Sequence, residues 1–87
     1  VGNYRLLIKP SAVKELEALP SKKTRQRVVT RIRALAADPR PSGCEKLAGY
    51  DDRYRVRQGA YRVVYSVSDR ELIVWVVKVG HRKDVYR

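Results

Sequence analysis

Along the chain the spacing of apolar positions changes character once. Tyr4-Arg5-Leu6-Leu7-Ile8 is a short β-rich run, ended by Lys9-Pro10. Ser11 then has the residue type of a helix N-cap, and Ala12, Val13, Leu16 and Leu19 recur at helical spacing until Pro20 closes the segment. Ser21 opens a second, longer helix to about Ala37, with Val28, Val29, Ile32, Leu35 and Ala36 on one stripe. Two helices separated only by Pro20-Ser21 predict a helix hairpin. Asp38-Pro39-Arg40-Pro41-Ser42-Gly43 is a loop by composition.

Beyond that loop the period becomes two. Arg53-Tyr54-Arg55-Val56-Arg57 alternates strictly, as a strand with two different faces does. Gln58-Gly59-Ala60 is a turn, and Tyr61 to Val67 is β-branched and aromatic. Ser68-Asp69-Arg70-Glu71 turns again into Leu72 to Val79, the most strand-like stretch, which Gly80 ends before a short polar tail. The fold class is therefore α+β, in one domain over residues 1–87. An N-terminal strand is followed by a two-helix hairpin and an antiparallel three-stranded meander, with the helices on one sheet face.

Two-residue loops at Gly59-Ala60 and Asp69-Arg70 would fix the register. Arg57 then faces Arg62 and Arg55 faces Val64, with Trp75 beside Val64 and Val77 beside Arg62. Tyr54, Val56, Val63, Tyr65, Val67, Leu72, Val74 and Val76 form the face assigned to the helices. Arg55, Arg57 and Arg62 occupy the other. Like charges directly opposite on paired strands destabilise the pair. A sheet selected for folding alone would avoid them, and guanidinium forks match phosphate oxygens, so the cluster points to a bound nucleic-acid phosphate.

Charge strengthens that reading. The 87 residues include 20 Lys+Arg against 9 Asp+Glu, a formal net charge of +11, and a field of that size draws polyanions. Lys22, Lys23, Arg25, Arg27, Arg31 and Arg33 give the long helix a basic side, read either as a solvated face or as a footprint for an RNA backbone. With 44% hydrophobic residues the chain can still bury a core. Its one cysteine, Cys44, excludes an internal disulfide. Without an apolar run near the ~20 residues that span a bilayer, the chain is expected to be cytoplasmic and free of membranes.

The candidate chemistries thin out quickly. Asp51 and Asp52 point apart in extended chain, and Asp69 and Glu71 flank a turn, so no two-metal site and no cofactor is expected. No Gly-x-Ser-x-Gly turn presents a serine nucleophile. What remains is RNA cleavage by the ribose 2′-OH. It needs a base, cations for the phosphorane and an acid at one phosphate. Arg55, Arg57 and Arg62 supply cations. Gly80-His81-Arg82-Lys83-Asp84-Val85-Tyr86 supplies an imidazole, further cations and a phenol. Trp75 is read as strand packing first and as a base platform second.

Tyr54-Arg55-Val56-Arg57, Gly59-x-Tyr61-Arg62-Val63-Val64-Tyr65 and Val79-Gly80-His81-Arg82-Lys83-Asp84-Val85-Tyr86 together resemble the RelE-type toxins of bacterial and archaeal toxin–antitoxin modules, within the RelE/ParE superfamily. The resemblance covers essentially the whole chain. It implies a type II toxin that enters the A site of the 30S subunit and cuts mRNA there by a metal-free 2′-OH reaction. It also implies a cognate antitoxin, and operator DNA contacted only through the toxin–antitoxin complex. Carried over by position, the catalytic set is Arg55, Arg57, Arg62, Arg82 with His81 adjacent, and Tyr86; Lys83 joins the basic helix residues in binding nucleic acid. The first two basic positions are often lysines in the family. As arginines, Arg55 and Arg57 suit charge stabilisation rather than proton donation. Tyr86 is then a base if nearby guanidiniums lower its pKa, or otherwise an aromatic anchor or a stacking surface. The same fold also admits a ParE-like toxin acting on DNA gyrase, or an inactive homologue that only binds antitoxin.

Overall fold

The computed structural model describes residues 3–81. A first strand, β1 (Arg5–Ile8), leads into helices α1 (Pro10–Glu17) and α2 (Lys22–Ala34). Strands β2 (Glu45–Lys46), β3 (Arg53–Gln58), β4 (Tyr61–Ser68) and β5 (Ile73–His81) follow. They form one five-stranded mixed sheet in the order β1-β5-β4-β3-β2. The meander is therefore present, extended by β2 at one edge and by β1, parallel to β5, at the other.

Local rules account for the helices with two adjustments. α1 starts at Pro10 rather than after a Ser11 cap, with Lys9 as N-cap, because proline has no N–H to lose in a first turn and its φ is already helical. In α2 the Ser21 hydroxyl oxygen accepts from the Thr24 N–H at 3.3 Å, as its residue type predicts. Regular helix stops at Ala34, three residues short of Ala37. Ala12, Leu16, Leu19, Val28, Ile32 and Leu35 meet Val56, Val63, Tyr65, Val67, Val74, Val76 and Val79 in one core, so both helices cover the same sheet face.

The β3–β4 register is the expected one: Gln58 opposite Tyr61, Arg57 opposite Arg62 and Arg55 opposite Val64. The β4–β5 register is not. Ser68 faces Ile73, so the connection is Asp69-Arg70-Glu71-Leu72, with Leu72 at φ 56 and exposed rather than on the helix-covered face. A bulge then lets Tyr65 face Val76 while Val64 faces Lys78. Trp75 thus lies beside Ser66 instead of Val64, and Arg62 beside Gly80 instead of Val77. The extra residue, Val77, shifts the alternation, which is why Val76 and Val79 both reach the core. β1 ends before β5 does. There Lys9 N–H donates to Val76 O at 3.0 Å and Val79 N–H to Glu15 Oε1 at 3.0 Å, so α1 completes the edge.

At the end of the sheet holding the β4–β5 turn, a polar cluster pins the 38–43 loop. Arg40 donates to both Asp69 oxygens, at 3.1 and 2.8 Å, and through Nε to the Tyr54 hydroxyl at 3.0 Å. Tyr4 donates its hydroxyl to Asp69 Oδ1 at 2.5 Å. The hydrogen bonds from Arg40, then from Tyr4, hold the Asp69 pKa down at about 2. A carboxylate depressed by folding stabilises the fold above its ordinary range, and that contribution is lost as pH falls toward the folded value. Acid unfolding followed by circular dichroism should therefore begin below about pH 4. In Asp69→Asn this part of the pH dependence should be absent and stability lower at neutral pH.

Candidate active site

Strand alternation builds the sheet's uncovered face. Between the inward Tyr54 and Val56, Val63 and Tyr65, and Val74 and Val76 stand Arg55, Val64 and Trp75, with Arg57 and Arg62 one step further along. Arg57 is exposed, and Arg62 opposite it is partly buried. The strand position beyond Arg62 is Gly80, which has no side chain, so the ground beside the guanidinium pair is low. In the next row Arg55 faces Val64, and Val64 faces Lys78.

Arg55 is engaged from the other side. Its Nη2 lies 2.6 Å from Glu45 Oε2, the carboxylate delivered by the short β2. Sequence reasoning missed this partner because two residues carry no periodicity. The ion pair fixes the Arg55 fork and offsets part of its charge, while Arg57 and Arg62 stand directly opposite each other in the neighbouring row. Lys78 leans toward α1, with Nζ 3.6 Å from Glu15 Oε2.

His81 is brought near but not onto this row. It pairs with Tyr61, whose ring it meets edge-on at 5.7 Å between centroids. Tyr61 packs against the core from the helix side. Alternation therefore turns His81 toward the face opposite Arg62. Arg82, Lys83 and Tyr86 lie outside the described residues. Among the described tyrosines, Tyr65 is fully buried and burial pushes its pKa well up, while the hydrogen bond to Asp69 raises that of Tyr4. Neither supplies a phenolate near neutral pH.

On α2, Lys22, Lys23, Arg27 and Arg33 are exposed, whereas Arg25 and Arg31 are partly buried. A shallow groove of about 630 Å³ runs between Lys23, Gln26, Arg27, Thr30 and Arg31 on the helix and Gln58 at the end of β3. The basic helix face thus reaches the strand end next to Arg57. Among the described residues, no three His, Cys, Asp or Glu side chains are grouped so as to hold a metal ion.

Comparison with known proteins places this arrangement. The family model described as the ParE toxin of the type II toxin–antitoxin system parDE matches residues 6–86. A RelE-like toxin of Escherichia coli is 35% identical over 88 residues, covering 95% of this chain and 90% of that protein. The mRNA interferase toxin RelE of E. coli K12 is 33% identical over 82 residues, covering 92% and 84%. Among solved structures, the archaeal RelE–RelB complex from Pyrococcus horikoshii superposes with TM-score 0.82 at 33% identity, over 94% of this chain and 98% of that one. The intact E. coli RelBE complex gives 0.77 at 30%, over 90% and 95%. The chain belongs to the RelE/ParE superfamily of type II toxins, and within it to the RelE type.

Proposed function

We propose that this toxin is a ribosome-dependent mRNA endonuclease, held inactive by a RelB-type antitoxin. The observation that carries the reading is the Arg57–Arg62 pair, set directly opposite across two strands on the uncovered sheet face. Relatives covering nearly the same length are named mRNA interferases, which supports the substrate.

In this mechanism a scissile phosphate lies over the Arg57–Arg62 row. The ribose 2′-OH attacks phosphorus, and the P–O5′ bond breaks. The products are a 2′,3′-cyclic phosphate and a 5′-hydroxyl. Charge peaks on the phosphorane, where two guanidinium forks stabilise it more than they stabilise the substrate. Arg55, fixed by Glu45, orients the flanking backbone. Tyr86 takes the 2′-OH proton and Arg82 adds charge. His81, turned toward the helix-covered face, braces the end of β5 against Tyr61, and the leaving O5′ takes its proton from water. No metal takes part in the step.

The ribosome supplies the remaining contacts. The α2 residues, with Lys83, form an electrostatic footprint for rRNA backbone, so association weakens steeply with salt. Replacing Lys23 and Arg27 together by alanine is expected to weaken ribosome binding. The salt dependence should flatten by about one unit of log–log slope for each cation–phosphate pair removed. The antitoxin brings acidic residues to these basic faces, and binding to operator DNA runs through that complex. The toxin acts in the cytoplasm, where its substrate is.

Mapping RNA ends after brief induction tests the assignment. Cuts within codons at the A site, ending in cyclic phosphate and abolished in both Arg62→Ala and Tyr86→Phe, are expected. Intact mRNA together with loss of gyrase supercoiling would overturn it in favour of a ParE-like activity.

A further inference from the structure

Trp75 is the chain's single tryptophan. It is 39% exposed, between Val74 and Val76, which are completely buried. It shares the uncovered face with the arginines, and the strand registers place it in a definite row. Leu7 lies on one side of it, and Ser66 and then Arg53 on the other. The Arg53 guanidinium covers the Tyr50 ring at 4.6 Å from its centroid, and Tyr50 is itself 50% exposed. Across three strands the row presents an indole, a hydroxyl and a guanidinium–phenol stack.

A peptide-docking patch would continue as exposed apolar surface, but beside Trp75 Leu7 is the apolar neighbour in its own row, and Val64 in the next is buried. The other neighbours in these two rows are Ser66, Arg53, Arg55 and Lys78. Aromatic and guanidinium planes interleaved with hydroxyls and cations are the chemistry that holds unpaired nucleobases. The Trp75 row lies four strand residues from the Arg57–Arg62 row, ~13 Å at the rise of a β-strand. That exceeds the ~3.4 Å step between stacked nucleotides several-fold. A base on Trp75 therefore belongs to a nucleotide flanking the one being cut.

We propose that Trp75, with Ser66 and the Arg53–Tyr50 stack, is a nucleobase platform that holds single-stranded mRNA beside the cleavage site and sets its register on the arginine pair. It is a binding and positioning element that rests on the endonuclease reading and names a subsite for that substrate.

Because Trp75 is the only tryptophan, its emission reports on this site alone. Titrating the purified full-length chain with a short, uncleavable 2′-O-methyl oligoribonucleotide should quench that emission saturably. The same backbone carrying abasic positions should not quench it. In a ribosomal cleavage assay, Trp75→Ala should raise KM about tenfold with kcat nearly unchanged. Trp75→Phe, which keeps an aromatic face, should recover most of the loss and provides a reading even if the alanine variant folds poorly. Unquenched emission at saturating oligonucleotide, quenching by the abasic backbone as well, or KM values for both variants equal to wild type would each overturn the platform. If the wild type cuts no mRNA, the endonuclease reading fails, and the titration alone decides whether Trp75 binds bases. Quenching by a protein partner but never by oligonucleotide would assign the row to that partner and overturn the proposal.

Discussion

Arg62→Ala is expected to lower kcat for mRNA cleavage by about 10²–10³-fold while moving KM much less. The reason is where charge appears during the reaction. A phosphodiester carries one negative charge and its phosphorane nearly two, so a fork aimed at that phosphate gains most of its interaction in the transition state. Arg57 and Arg62 are nearest neighbours across β3 and β4. Like charges directly opposite on paired strands disfavour each other by a few tenths to ~1 kcal/mol, and a phosphate bound between them favours the pair. Arg57→Ala, at an exposed position, should therefore lose activity to a similar degree with little or no loss of melting temperature. Arg62→Lys should fall between, since it keeps the charge and loses the planar fork. Arg55→Ala should cost less in kcat because Glu45 already engages that side chain at 2.6 Å. Single-turnover cleavage on programmed ribosomes separates these cases. The Arg57/Arg62 double variant should fall short of the product of the single losses, since both act on one charge. Full activity in both single variants would sink the assignment.

The arginine pair was legible for a specific reason. Arg53 to Arg57 alternates without interruption, and Gly59-Ala60 closes the hairpin with Gly59 at φ 61, so register and face follow together. The next hairpin had no such guide. From Leu72 to Val79 every residue but Lys78 is apolar. With no alternation to read, neither the four-residue connection nor the bulge at Val77 left a trace. The longer connection moves the register by two residues, which preserves parity, and the bulge comes only after Val76, so Val74 and Val76 keep the face that simple alternation gives them. The parallel pairing of β1 with β5 joins residues almost seventy positions apart, and no local pattern encodes it. The Arg40–Asp69 ion pair, 29 residues apart in sequence, was invisible for the same reason. His81 shows the limit from the other side. Its position in the motif was evident, but its orientation depends on the bulge that the sequence hides.

The largest effect on stability is expected at Tyr65. Its ring is fully buried in the core and stacks with Tyr54 at 6.0 Å, and its hydroxyl donates to the Pro39 carbonyl at 2.6 Å. Among the described residues it is the largest fully buried side chain, and it joins β4 to the loop that Arg40 holds from outside. Tyr65→Ala removes the ring and leaves a cavity, at about 3–5 kcal/mol. Against the ~4–13 kcal/mol expected for a chain of this length, that is much of the total. Thermal unfolding should shift down by at least ~12 °C, at ~4–8 °C per kcal/mol. Tyr65→Phe separates the two contributions. It keeps the ring and leaves the buried Pro39 carbonyl without its donor, at about 1–3 kcal/mol. Cleavage by Tyr65→Phe, measured well below its melting temperature, should match wild type, because Tyr65 points into the core while Arg57 and Arg62 stand on the other face of the sheet. A phenylalanine variant as stable as wild type would show that the hydroxyl–carbonyl hydrogen bond holds nothing. Abolished cleavage in a fully folded variant would mean that the Tyr65 anchor, three residues along β4 from Arg62, sets the geometry of the arginine pair.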